Sequence, residues 1–158
     1  MRREALGIYL NDHLAGATAG RLIAHRLAEH HRSSPYGGEL RRLAVEIAED
    51  RQTLLDLMDA LAVPARRHKV FAGWLGEKGR LLKLNGRATR RAGLSTVIEL
   101  EMLRLGIEGK SLLWKTLLAL TPARELDETL LKELLDRARD QIDTVETVRT
   151  GAAVAALR

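Results

Sequence analysis

There is no cysteine among the 158 residues, which excludes disulfides, thiolate nucleophiles, iron–sulfur clusters and Cys-ligated zinc, and makes a reducing compartment the natural setting. Aromatics make up only 3% of the chain, so a core has to be assembled from Leu, Ala, Val and Ile. That supply suits helix-on-helix packing better than a sheet, which draws on aromatic and β-branched residues. Long apolar runs are missing too, since none approaches the roughly 18 residues that span a bilayer. The opening Met1-Arg2-Arg3-Glu4 is basic, but it leads into an amphipathic segment without the apolar stretch or cleavage pattern of a secretory signal. The expectation is a soluble, cytoplasmic protein with no transmembrane segment.

What the chain does contain is ordinary for a globular protein and wrong for a disordered one, with 46% hydrophobic and 30% charged residues. A single domain over residues 1–158 is expected from the length. The net charge of +5 is unevenly placed. Between residues 62 and 94 there are nine cations (Arg66, Arg67, Lys69, Lys78, Arg80, Lys83, Arg87, Arg90, Arg91) and one acid, Glu77. This segment carries +8, which leaves −3 for the rest of the chain.

Hydrophobic periodicity predicts four main helices. The first covers about 4–31, with Leu6, Leu10, His13, Ala17, Gly20, Ala24 and Leu27 at alternating steps of four and three. Ser33-Ser34-Pro35 is read as its break, offering a cap with Pro in the first turn of the next helix, and Gly37-Gly38 loosens the connection. The second helix covers about 39–61, on the stripe Leu40, Leu43, Ile47, Asp50, Leu54, Leu57, Leu61. The third covers about 95–120, with Leu94, Ile98, Glu101, Leu105, Glu108 and Leu112 on one face, and Thr121-Pro122 is read as a cap and N1 proline. The fourth covers about 127–157, on Leu131, Leu134, Ala138, Gln141, Val145, Val148 and Ala152. Between the second and third lies a long segment, 62–94, in which Val70, Phe71, Trp74, Leu75, Leu81 and Leu82 have roughly helical spacing. The fold expected is all-α: two antiparallel helical hairpins joined by a long, partly helical crossover, with the second and third helices parallel.

Each stripe is interrupted by polar residues: His13, Asp50, Glu101 and Glu108, and Gln141. A buried carboxylate costs several kcal/mol unless it is paired, hydrogen-bonded or bound to a cation. From the helical rise, Asp50 lies about 16 Å up the bundle, Glu108 about 18 Å and Gln141 about 20 Å, which puts the three in one layer. His13 comes near 10 Å and Glu101 near 28 Å on the same scale. Such a layer either fixes register and helix pairing, with Arg51, Arg21 and Arg104 close enough along the chain to neutralise the acids, or holds a metal.

Two hairpins, a long crossover and interior carboxylates resemble the ferritin-like superfamily, and more closely uncharacterised bacterial members of it. The resemblance is one of architecture over the whole chain. It implies a di-metal centre built from one Glu on each of two helices and a Glu-x-x-His pair on each of the other two. This chain departs from that pattern: Glu46-x-x-Glu49 with Asp50 beside it on the second helix, Asp140-x-x-Asp143 on the fourth, and His13 or Asp12 on the first. Only the third helix, with Glu101 or Glu108, offers the expected residue type, and no His lies on the last three main helices.

Other signals are weaker. His25 and Glu29 share a face at i, i+4, but the adjacent His30 and His31 diverge by about 100° and suit a solvated helix end. Gly16 with Gly20, and Gly106 with Gly109, read as places where helix backbones approach closely, within the bundle or across a homodimer seam. No G-x-G-x-x-G, P-loop, H-E-x-x-H or nucleophile elbow is present. Three functions follow. The first is a ferritin-like bundle without a complete di-metal centre, acting through binding or assembly and not by catalysis, with no cofactor. The second is a carboxylate-bridged redox or iron-handling protein, holding iron or manganese at His13, Glu46, Glu49, Asp50, Glu101 and Glu108. The third is a binder of nucleic acid or an anionic membrane surface through the nine cations of the crossover.

Overall fold

Tyr9 Oη donates to Thr116 Oγ1 at 3.0 Å, Arg26 pairs with Glu99 at 3.2 Å, and His31 Nε2 lies 3.2 Å from Thr96 Oγ1, a ladder that runs one helix against another in opposite directions. The computed structural model in which these contacts occur describes residues 2–66, 90–124 and 126–158. They form four helices, α1 (Arg2–His30), α2 (Gly37–Ala60), α3 (Arg90–Arg124) and α4 (Glu128–Leu157), with no strand among the described residues.

Helix α1 packs against α2 and α3, while α4 packs closely on α3 and lightly on α2. Every neighbouring pair is antiparallel. Arg51 Nε on α2 donates to Thr18 Oγ1 on α1, Arg149 on α4 pairs with Glu101 on α3, and Arg137 on α4 pairs with Glu49 on α2. The diagonal helices α2 and α3 therefore start at the same end of the bundle and run parallel. Arg66 and Arg90 lie at opposite ends. The expected crossover stripe of Val70, Phe71, Trp74, Leu75, Leu81 and Leu82 lies outside the described residues.

The core is aliphatic, as the scarcity of aromatics requires, with Trp114 as the one fully buried ring among the described residues. On α2 and α4 the buried residues follow the stripes read from the sequence, including Leu43, Leu54, Leu131 and Val145; on α1 Leu6, Leu10, Ala24 and Leu27 are buried as read, but His13, Ala17 and Gly20 are only partly so and Leu14, Ala19, Ile23 and Ala28 are buried beside them. On α3 the reading has to be corrected. Leu94, Ile98, Glu101, Leu105, Glu108 and Leu112 all face outward, and the buried seam is Leu100, Leu103, Ile107, Trp114 and Leu117. The two stripes have the same rhythm, since Leu100, Leu103, Ile107, Lys110, Trp114 and Leu117 also step by three and four. One seam carries two acids and the other a single Lys. Packing selects the seam with fewer charges to bury.

The helix ends also differ from expectation. Tyr36, not a serine, occupies the N-cap of α2 and makes no side-chain cap bond; Ser34 Oγ instead accepts from Tyr36 N at 3.3 Å and orders the turn. Helix α3 continues through Pro122 to Arg124. A proline in the last turn forfeits only one backbone bond there, so the helix survives it. The cap of α4 is Asp127, whose Oδ1 accepts from Leu130 N at 3.0 Å. At the far end of α2, Ala62 N donates to Asp59 O and Val63 N to Met58 O, which closes a Schellman turn with Ala62 at φ 53°. Asn11 then holds the departing chain: its Nδ2 donates to Pro64 O at 3.1 Å and its Oδ1 accepts from Arg66 N at 2.6 Å.

Candidate functional site

Asp50 sits three residues after Ile47 and four before Leu54, so the periodicity of α2 carries its carboxylate into the core, where its side chain has no exposure. Lys110 reaches it from α3, with Nζ 2.5 Å from Oδ2 and 2.5 Å from Gln141 Oε1. Gln141 Nε2, on α4, donates to the same Oδ2 at 3.1 Å and to Glu46 Oε2 at 3.2 Å. Arg137 Nε lies 3.1 Å from Asp50 Oδ1, but its N–H is not aimed at that oxygen, so the contact is Coulombic. The other end of the guanidinium donates to Glu49 Oε2 at 2.9 Å. Burial pushes the Lys110 ammonium below its ordinary value, and the Asp50 carboxylate beside it opposes that shift.

The layer proposed from helical rise is thus present for Asp50 and Gln141, which touch. Glu46 and Glu49 border it. Glu108 is exposed, with its backbone carbonyl accepting from Ser111 Oγ, and Glu101 is exposed beside Arg149 at 3.7 Å. His13 is partly buried, with its ring edge-on to Tyr9 at 4.6 Å; burial lowers its pKa below 6.5 and Asp12 partly offsets this. Among the described residues no three His, Asp or Glu converge as metal ligands do. The donor set also fits a di-metal centre poorly, because both oxygens of Asp50 already face cations of the chain itself. Arg104, read as a neutraliser of these acids, pairs with Glu146 at 3.4 Å, and Arg51 turns to Thr18. Arg149 holds the partly buried Glu146 down at about 2 through its hydrogen bonds.

Sequence reasoning missed Lys110 and Arg137. The signal for Lys110 was its place on the second three-four stripe of α3, three residues from Ile107 and four from Trp114. Arg137 carried none, because it flanks the α4 stripe and reaches the layer only by its length. Of the nine crossover cations, Arg66 is exposed, Arg90 and Arg91 begin α3, and Arg67, Lys69, Lys78, Arg80, Lys83 and Arg87 lie outside the described residues.

Beside this layer, α1 and α3 part around a cleft of about 180 Å³. Asp50 and Lys110 form part of its wall, together with His13, Arg51 and Trp114. Gly16, Gly20, Gly106 and Gly109 line it as well, and a Cβ placed on any of the four meets nothing within 4 Å. No close backbone approach is made within the bundle at these glycines, and Gly16 and Gly106 face solvent. The Nε1 of Trp114 is buried with no hydrogen-bond acceptor. Comparison with protein-family models, curated proteins and solved structures finds no match.

Proposed function

We propose that this chain is a ferritin-like bundle in which a lysine-neutralised polar layer stands in place of a di-metal centre, and that it acts by binding or assembly and not by catalysis. The placement of Lys110 carries this reading. Its ammonium contacts Asp50 and Gln141 in the interior polar layer that helical spacing predicts, and Arg137 faces the other Asp50 oxygen. A metal entering here has to displace two cations from a carboxylate with no exposure, against the desolvation of both. The parallel run of α2 and α3 and the two antiparallel hairpins support the architectural half of the reading. Elemental analysis of untagged protein, purified without chelator from iron- and manganese-supplemented growth, tests it. Metal well below stoichiometry is expected, and stoichiometric iron or manganese overturns the reading.

A second reading, assembly of two copies through α3, is favoured by the outward stripe. Leu94, Ile98, Leu105 and Leu112 are between 39% and 67% exposed and follow a coiled-coil rhythm on the solvent side of the helix. The stripe is self-complementary. An antiparallel two-fold centred on Leu105 sets Leu105 on its own copy and Ile98 on Leu112. The same operation sets Glu101 of one copy and Glu108 of the other within about 1.5 Å in height on the facing stripes, so these acids have to splay to the rim and the dimer is expected to tighten with added salt. Light scattering coupled to size exclusion is expected to give a dimer that Leu105→Glu converts to a folded monomer. A monomeric wild type overturns this reading.

A further inference from the structure

We infer that Lys110 is a carbonyl-capturing amine: the cleft between α1 and α3 admits a small apolar aldehyde, which this lysine holds as a protonated imine. The inference deepens the binding reading above and rests on the lysine layer. Among the described lysines, Lys110 alone stands on the buried stripe of α3, while Lys115 and Lys132 are exposed. It forms part of the cleft wall, and its side chain keeps 12% exposure. The walls around it include Ile47, Leu54, Leu103 and Leu113. A cleft of about 180 Å³ is comparable to an engineered cavity of roughly 150 Å³ that takes up benzene, so a guest with a single ring fits. Gly16 and Gly106 line the cleft where it meets solvent, which gives the guest a way in.

An amine attacks a carbonyl only in its unprotonated form, and a lysine in water is almost wholly ammonium at neutral pH. Burial is the largest influence on Lys110, and it pushes the pKa down. Asp50 and Glu46 on α2 oppose the shift, Arg137 on α4 adds to it, and burial outweighs the two acids. Asp12 and His13 of α1 line the same cleft. The nucleophilic form is thus easier to reach here than on a lysine in water, and it stands at the wall of an apolar opening.

The product suits the polar layer as the ammonium does. The amine nitrogen bonds to the carbonyl carbon, the C=O π pair passes to oxygen as a hydroxyl, and that hydroxyl leaves as water. Counted from the ammonium, two of the three N–H hydrogens depart with the carbonyl oxygen. One N–H and the positive charge stay on the imine, and no oxidant or reductant takes part. Asp50, whose side chain has no exposure, therefore still faces a cationic N–H and is not stranded in the core. Gln141 loses the ammonium as a donor to Oε1, while its Nε2 still donates to Asp50 and Glu46. An apolar body on the carbonyl carbon complements the aliphatic walls.

Benzaldehyde is the probe, trapped on the full-length protein with sodium cyanoborohydride, whose hydride turns the imine into a stable secondary amine. Tandem mass spectrometry of the digested protein reads the adduct at each lysine over time. Lys110 is expected to be trapped roughly tenfold faster than the exposed Lys115 and Lys132, because the cleft gathers and orients the aldehyde beside the amine. Its trapping is expected to persist to lower pH than theirs. Toluene, which fills the cleft but carries no carbonyl, is expected to slow trapping at Lys110 and leave the other two unchanged. In urea the three lysines are expected to react alike. Lys110 trapped no faster than Lys115 and Lys132 overturns the inference, and so does a preference that survives urea or ignores toluene. Metal analysis of the same sample separates the two proposals. Metal-loaded protein in which Lys110 is still trapped defeats only the reading of the layer, and metal-free protein whose Lys110 stays inert defeats only the site.

Discussion

Lys110 on α3 and Asp50 on α2 join diagonal helices of the bundle, with 2.5 Å between Nζ and Oδ2 at the level where Gln141 of α4 also meets them. A buried pair of this kind contributes little over an apolar pair of similar shape, but removing one partner strands the other. Lys110→Met is therefore expected to cost about 3 kcal/mol, at the low end for such a deletion because Arg137 still faces Asp50. The double variant Asp50→Leu/Lys110→Met is expected to lie within about 1 kcal/mol of the wild type. Urea unfolding of the single and double variants checks this. A double variant as unstable as the single one would show that the layer acts as a whole network and not through this pair.

The Schellman turn that ends α2 has an alanine where glycine is favoured. Ala62 sits at φ 53°, where its Cβ crowds the backbone, while both turn hydrogen bonds are made. Ala62→Gly relieves the crowding at the expense of extra freedom in the unfolded chain, for a net gain of about 0.5–1 kcal/mol. A raised unfolding midpoint is the expected outcome, and a lowered one would mean that Asn11 and the buried Val63, not the turn, hold this end.

His13 gives the stability a pH dependence of known sign. Burial depresses its folded pKa below 6.5, so as pH falls through 6.5 the unfolded chain takes up the proton first. Acidification therefore removes stability in the window between 6.5 and the lower folded value, and the effect levels off below it. His13→Gln, with no proton to take up, is expected to flatten the thermal midpoint across that window. An unchanged slope would assign the acid sensitivity to the carboxylates.

The helices themselves were legible in the sequence because α2 and α4 each offer one apolar stripe, and the burial of Leu54 and Leu131 follows it, while the wider buried face of α1 takes in Leu14 and Ile23 beside the stripe through Leu10. Helix α3 offers two stripes of equal rhythm, and periodicity cannot rank them. What ranks them is the price of burying Glu101 and Glu108 against the price of burying Lys110, and that depends on Asp50 and Gln141 standing opposite. The site was half legible for the same reason. The interior position of Asp50 and its level with Gln141 follow from spacing and rise along single helices. The cations that satisfy Asp50 come from two other helices, and their reach is a property of the assembled bundle.

The glycines offer the sharpest contrast between open and filled space. At Gly106, which lines the α1–α3 cleft, a Cβ has no neighbour within 4 Å, so Gly106→Ala adds helix propensity without a clash. A gain of about 0.5–1 kcal/mol is expected. At Gly37 the same Cβ runs into the backbone carbonyl oxygen of Arg32 and lies 2.9 Å from that of His31. These are main-chain atoms of the turn between α1 and α2 and cannot rotate away. Gly37→Ala is therefore expected to cost about 1–3 kcal/mol, the range of an overpacked site. Thermal unfolding of the two variants side by side is the check. If Gly106→Ala destabilises the protein as well, the space over that glycine is filled in solution.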